Sequence, residues 1–381
     1  MSQLGTESAF DVLVKARALE AQGKDMIHLE IGEPDFDTPA HIVETGQKAL
    51  GSGFTHYGPA AGLPELREAI ANDVASSRNI DVNADQIVVC PGAKPIMFFT
   101  ILAFAEPGSE VIYPNPGFPI YESVIKFAGA KPVPAPLIEE KDFTLDVAQI
   151  SNLVTDKTSL IIVNSPQNPT GGIVPAEDLK VITDIAVERN IPVLADEIYA
   201  RMVYDGEFAS ISAFDGMADK LIILDGFSKT YAMTGWRMGY GVMPEETAQH
   251  IARLMVNSNS CTAAFTQQAG IAALTGPQEP SHEMLEEFRK RRDVFHAGLN
   301  AIDGITCRLP GGAFYLFPNI TELGRSSQEL EDILLEAGVA SLSGTGFGEY
   351  GEGYLRFSYA NSLENIEEAL KRIEGAVASL R

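Results

Sequence analysis

The chain has 381 residues, 45% hydrophobic and 21% charged, and its 28 Lys+Arg against 52 Asp+Glu give a net charge of −24. This composition excludes long disorder, the charge repels nucleic acid and anionic membranes, and the length exceeds one ordinary core of roughly 100–200 residues, so two domains are expected. The charge describes a very soluble surface and does not fix the sign of the field inside a cleft. Cys90, Cys261 and Cys307 form no CxxC pair and match no zinc spacing. An odd number of cysteines excludes a complete disulfide framework, so a reducing, cytoplasmic setting is expected. Residues 1–10 have neither the basic nor the apolar region of a secretory signal, and no apolar run approaches the ~18 residues of a membrane span.

In chain order, a helix is predicted near Glu7–Ala21, followed by the glycine-led segment Gly32-Glu-Pro-Asp-Phe-Asp-Thr-Pro39 and then Tyr57-Gly-Pro-Ala-Ala-Gly-Leu-Pro-Glu-Leu-Arg67. From about Ile42 to Leu274, helical patterns alternate with short apolar runs. The runs are Gln86–Cys90, Glu110–Tyr113, Ser159–Asn164, Pro192–Ala195, Leu221–Leu224 and Met238–Val242. The helical patterns between them are Lys94–Ala105, Ile120–Phe127, Ala176–Arg189 and Glu245–Ser258. Such alternation with continuously apolar strands predicts an α/β fold whose mostly parallel sheet is covered by helices on both faces. The last third reads differently. A charged helix at Ser281–Ala301 precedes strand-like Thr306–Leu309 and Ala313–Pro318, a helix near Ser327–Glu336, strand-like Tyr354–Tyr359 and a final helix. This predicts a smaller α+β domain with which the N-terminal helix packs. The expected division is 1–40 joined to the small domain, 41–280 as the large domain and 281–381 as the small one.

Several apolar runs end in small, polar or reactive residues. They lead into Pro91-Gly92-Ala93-Lys94, Asn164-Ser-Pro-Gln-Asn168-Pro-Thr-Gly171, Asp196-Glu-Ile-Tyr199 and Asp225-Gly-Phe-Ser-Lys229. Ordinary turns and caps explain any one of these, but ligands of open α/β sheets bind at the carboxyl ends of the strands. A lone lysine is ordinarily a solvated surface charge. Lys229 instead stands in an apolar, hydroxyl-rich run, with Arg237 eight positions later. A desolvated lysine can shed its proton and attack a carbonyl, and an arginine can hold a phosphate. Together they point to a phosphorylated carbonyl cofactor, and pyridoxal phosphate fits. Gly92, Ala93 and Lys94 open a helix with Pro95 in its first turn, where free N–H groups and the helix dipole suit a phosphate.

On these segments, together with Ser228-Lys-Thr-Tyr-Ala-Met-Thr-Gly-Trp-Arg237 and Arg356-Phe-Ser-Tyr-Ala360, the chain resembles the pyridoxal-phosphate aminotransferases of fold type I, in particular the prokaryotic aspartate and aromatic branch. The resemblance covers nearly the whole chain and implies a seven-stranded type of central sheet and a homodimer with shared active sites. It makes Lys229 the Schiff-base lysine and proton carrier, Asp196 the partner of the pyridine nitrogen, and Tyr199 and Asn168 the hydrogen-bond partners of the ring oxygen. Ser228 and Arg237 complete a phosphate cup with Gly92, Ala93 and Lys94, and Phe118 stacks on the ring. Tyr57 reaches the partner subunit's phosphate. Arg356 takes the substrate α-carboxylate, with Gly32 approaching it through the backbone. One departure is Gly226, where relatives often carry a phosphate-binding serine, so one hydroxyl of the cup is expected to be missing.

The expected activity is ping-pong transfer of an amino group from an L-amino acid to a 2-oxo acid, aspartate and glutamate ranking first and broad neutral or aromatic substrates second. Lys94 stands where some aspartate-active relatives hold the distal carboxylate. A C–S β-lyase of the same fold is the alternative, and a non-enzymatic sensor module a remote one. Gly346-Phe-Gly-Glu-Tyr-Gly351 matches a dinucleotide fingerprint but precedes a strand-like run, so that reading fails on context. The six histidines show no HExxH, and no metal site is expected.

Overall fold

The structure is a computed structural model that describes residues 4–380. Its first strand, β1 (Ile27–His28), lies outside the main sheet. The main sheet contains β2 (Ile87–Cys90), β3 (Glu110–Asn115), β4 (Lys131–Ile138), β5 (Thr144–Leu145), β6 (Thr158–Asn164), β7 (Val193–Asp196), β8 (Leu221–Gly226) and β9 (Gly239–Val242). These eight strands run in the order β2-β9-β8-β7-β6-β3-β4-β5. β4, β3, β6, β7 and β8 are parallel, and β9 runs antiparallel between β8 and β2. The sheet thus exceeds the seven-stranded type expected, because the short β5 pairs antiparallel with the outer edge of β4.

Strand parity explains why both faces are covered. Ile161, Val163, Val193, Ala195, Leu221 and Ile223 enter one apolar core, while Leu160, Ile162, Leu194, Ile222 and Leu224 enter another on the opposite face. Successive side chains alternate across a strand, so an uninterrupted apolar run fills both cores at once. β4 had no apolar run to announce it, since its sequence is Lys-Pro-Val-Pro-Ala-Pro-Leu-Ile. Its Lys131 N–H donates to Ser109 O on the β3 side, so the alternating Pro132, Pro134 and Pro136 lie where the missing N–H would face away from β3.

A second packing unit forms around β1, β10 (Tyr315–Leu316), β11 (Val339–Ala340), β12 (Leu342–Ser343) and β13 (Leu355–Ser358). β1 pairs parallel with β11, and β13 lies between β10 and β12. The helices Glu279–Asn300, Ser327–Glu336 and Leu363–Ala378 pack there through Phe288, Phe295, Leu330, Leu334, Ile366 and Ile373. The N-terminal helix Ser8–Glu20 packs against β11 and β12. Thr306–Leu309 is not a strand. Thr306 makes only an isolated bridge to Asn319. Gly346 to Gly351 forms tight 3-10 turns, not a strand-to-helix phosphate loop.

Parity also turns two buried carboxylates, Glu197 and Asp225, to the face opposite Asp196, where a helix-borne arginine meets them. Arg78, at the end of helix Pro64–Arg78, donates from Nε to Glu197 Oε2 at 3.1 Å and from Nη2 to Asp225 Oδ2 at 2.7 Å. Ser210 and Tyr240 donate to the same two carboxylates. The guanidinium thereby ties the carboxyl end of β7 to that of β8. Removing one partner of a buried ion cluster costs about 3–5 kcal/mol, since the others stay buried without compensation. Arg78→Met should lower the urea midpoint by a corresponding amount. An unchanged midpoint would show that the brace does not support the two strand ends.

Candidate active site

The register of the main sheet assembles the site. Asn164 pairs with Asp196, and Asp196 with Leu224, so the carboxyl ends of β6, β7 and β8 lie side by side. Gly226 pairs with Gly239, and Gly239 with Cys90, which brings the end of β2 to the same edge. A cavity of about 540 Å³ opens there. It is lined by Gly32, Ala93, Lys94, Phe118, Asn168, Asp196, Tyr199, Ser228, Lys229, Arg237 and Arg356, brought together from segments far apart in sequence.

Lys229 follows β8 by three positions, and its Nζ donates to Gly32 O and lies 5.9 Å and 5.5 Å from the ring centroids of Tyr199 and Phe314. Burial lowers its pKa to about 8, and the charges of Arg356 and Lys94 add to that, while Glu33 and Glu7 oppose it. Asp196 is buried, and its Oδ2 accepts from Tyr121 Oη at 2.5 Å. Burial raises its pKa to about 6, with the Tyr121 hydrogen bond pulling the other way. Tyr199 Oη lies 2.7 Å from Tyr315 Oη, and burial holds its phenol well above the ordinary range.

Arg356 reaches the cavity from β13. Its Nη1 donates to Asn168 Oδ1 at 3.1 Å and its Nη2 to Glu30 O. The guanidinium lies 4.5 Å over the Tyr315 ring and 5.0 Å from the Phe347 ring centroid. It is buried, yet Nε has no hydrogen-bond partner and no carboxylate pairs with it among the described residues. A buried cation without an anion is costly and calls for an anionic ligand.

Glycines shape two approaches. A Cβ on Gly32 would lie 2.3 Å from Tyr315 Oη. Gly92, which adjoins the cavity without lining it, has φ +84°, and a Cβ there would lie 2.3 Å from Arg237 Nη2. Arg237 itself has φ 53°, and its Nη1 donates to Thr234 O at 2.8 Å. Tyr57 does not enter this cavity and is 89% exposed.

Sequence reasoning missed Tyr121 and Tyr315. Each sits in an apolar run that reads as core, and only the fold turns their hydroxyls onto Asp196 and Tyr199. Gly226 takes a different meaning. A Cβ there would lie 2.9 Å from Gly239 Cα, so the β8–β9 contact itself excludes a serine.

The donor set fits pyridoxal phosphate. The first turn of helix Lys94–Phe104 offers N–H groups without intrahelical partners beside Arg237 and Ser228, which suits a phosphate. At the other end stand a buried carboxylate for a ring N–H and a lysine of lowered pKa for the carbonyl. Residues 24–373 match the family "aminotransferase class I and II". An aspartate aminotransferase of Pyrococcus abyssi is 42% identical over 92% of this chain and 91% of its own. Aromatic-amino-acid aminotransferase 2 of Thermococcus litoralis is 41% identical over 93% and 92%. The solved structure of a Thermus thermophilus aspartate aminotransferase with maleate superposes with a TM-score of 0.93 at 36% identity, covering 98% of this chain and 97% of that one. The chain belongs to the class I and II aminotransferases. It is a pyridoxal-phosphate-dependent enzyme that transfers amino groups.

Two outcomes test this geometry. Capture of pyridoxal phosphate by the cofactor-free protein needs a neutral Lys229 amine, so its rate should rise with pH and level off above about 8. Arg356→Gln removes a charge that depresses Lys229 and should move that midpoint upward in a stopped-flow absorbance series. Separately, Gly226→Ala should lower the denaturant-derived stability by about 1–3 kcal/mol through overpacking. A variant as stable as the parent would show that β8 and β9 separate freely.

Proposed function

We propose that the described cavity is the active site and that its residues divide the work of amino transfer between an amino acid and a 2-oxo acid in ping-pong order. The observation that carries this is the buried Arg356, which forms no ion pair with a carboxylate among the described residues, in one cavity with Lys229 and Asp196. Pyridoxal phosphate, when bound, supplies an electron sink conjugated to the substrate Cα. Asp196 holds a proton on the pyridine nitrogen, and Tyr121 keeps that carboxylate oriented. Asn168 and Tyr199 hydrogen-bond the ring oxygen, and Phe118 covers a ring face. Gly92, Ala93, Lys94, Ser228 and Arg237 surround the phosphate. Arg356 binds the α-carboxylate in a fork that lysine could not reproduce, with Gly32 leaving room for the approach. Lys229 would anchor the cofactor carbonyl and, as an amine of lowered pKa, would take and return the proton at the substrate Cα.

In this reading residues 41–280 hold the cofactor, while 1–40 and 281–381 supply Gly32 and Arg356. The enzyme works as a homodimer in which Tyr57 reaches the partner's phosphate. The exposure of Tyr57, Leu50 and Phe54 supports that arrangement. The unpaired cysteines suit a reducing, cytoplasmic setting. Aspartate and glutamate rank first as amino donors and aromatic or neutral amino acids second, in keeping with the names of the relatives. None of those names supports the β-lyase alternative.

Lys229→Ala should reduce turnover by several orders of magnitude. It should also abolish the borohydride-stable attachment of cofactor that mass spectrometry detects on the parent chain. Retained attachment or turnover would remove Lys229 from the mechanism.

A further inference from the structure

The cavity is lined by four cations, Lys94, Lys229, Arg237 and Arg356. In the reading above Arg237 serves the phosphate, Lys229 the reacting Cα and Arg356 the α-carboxylate. Lys94 serves the phosphate cup through its backbone at the start of helix Lys94–Phe104, and its ammonium is the cation left to meet a substrate side chain. It is already engaged. Lys94 Nζ donates to Glu7 Oε1, and this is the one ion pair between lining side chains among the described residues.

Three further observations bear on this pair. Glu7 immediately precedes helix Ser8–Glu20, yet its side chain makes no capping hydrogen bond to that helix. Its carboxylate is directed into the cavity. The segment before it is tied to helix Ile120–Phe127, where Gly5 N–H donates to Ser123 Oγ at 2.8 Å, on the same helix as Tyr121. Lys94 Nζ lies 5.4 Å from the Phe118 ring centroid, so the pair borders an aromatic surface.

We propose that Glu7 is a specificity-determining residue that masks Lys94 and thereby weighs acidic against uncharged substrate side chains. An acidic side chain must take the ammonium from Glu7 and leave two carboxylates close together, a like-charge contact that opposes binding. An uncharged side chain meets a closed ion pair and the Phe118 ring, and displaces nothing. The inference rests on the reading of this cavity as the substrate site.

The test uses the holoenzyme and two four-carbon cis acids, maleate and isocrotonate, which differ by a carboxylate in place of a methyl group. Calorimetry gives the ratio of their affinities. Glu7→Gln frees Lys94 and should raise the ratio in favour of maleate by roughly threefold to tenfold, given that the ammonium is half exposed and partly screened. In the double variant Glu7→Gln/Lys94→Met the ratio should return to the parent value or below. If both acids bind and Glu7→Gln leaves their ratio unmoved, or shifts it towards isocrotonate, the masking role is overturned and the substrate site stands. If neither acid binds the parent holoenzyme, the masking role and the substrate reading of the cavity fall together.

Discussion

Burial of the main sheet on both faces is the constraint on which the rest of this molecule depends. Two apolar cores leave no room for polar side chains within the strands, so reactive groups gather where the strands end. Parity then sorts them. Leu194 and Asp196 share one face of β7, and the next residue, Glu197, turns to the other and meets Arg78. One strand end therefore supplies a carboxylate to the cavity and a second to the brace beneath it. Because Arg78 also holds Asp225, the ends of β7 and β8 are linked directly behind Asp196 and Lys229.

The electrostatics of the cavity oppose those of the surface. A chain of net charge −24 closes around four lining cations and only three lining carboxylates, Glu7, Glu33 and Asp196. Low-dielectric walls strengthen these local fields relative to the solvated surface. Burial is the leading cause at each of the two titrating groups, and it moves them in opposite directions. It lowers the pKa of the Lys229 ammonium and raises that of the Asp196 carboxyl, because the charged form suffers in both cases. The lysine becomes a usable nucleophile near neutral pH for the same reason that the carboxyl needs a partner cation to stay ionised.

The elements legible in the sequence were those with an uninterrupted apolar run or a clear helical period. β6, β8 and helices such as Ile120–Phe127 and Ala176–Arg189 lie where the pattern put them. β4 was not legible, because its prolines argue against a strand until the geometry shows which edge of the ladder they spare. Thr306–Leu309 reads as strand-like but pairs only through the single bridge from Thr306 to Asn319. Of the residues that line the cavity, Lys229 and Arg237 stood out by their setting in the sequence, while Asp196, Asn168, Tyr199, Ser228 and Arg356 were singled out through the family resemblance of their segments. Tyr121 and Tyr315 were not, since an aromatic in an apolar run carries no sign of where its hydroxyl points.

Glu7 and Gly226 mark the boundary between the two kinds of information. The sequence by itself determined the reactive residue types, their order and the apolar strands that carry them, because periodicity and chemical type are local properties of the chain. The tertiary structure alone decided that Gly226 faces Gly239 across a contact with no room for a Cβ. It alone decided that Glu7 stands against Lys94, 87 positions away. Both depend on which backbones lie side by side, and sheet register and helix packing set that across the whole chain.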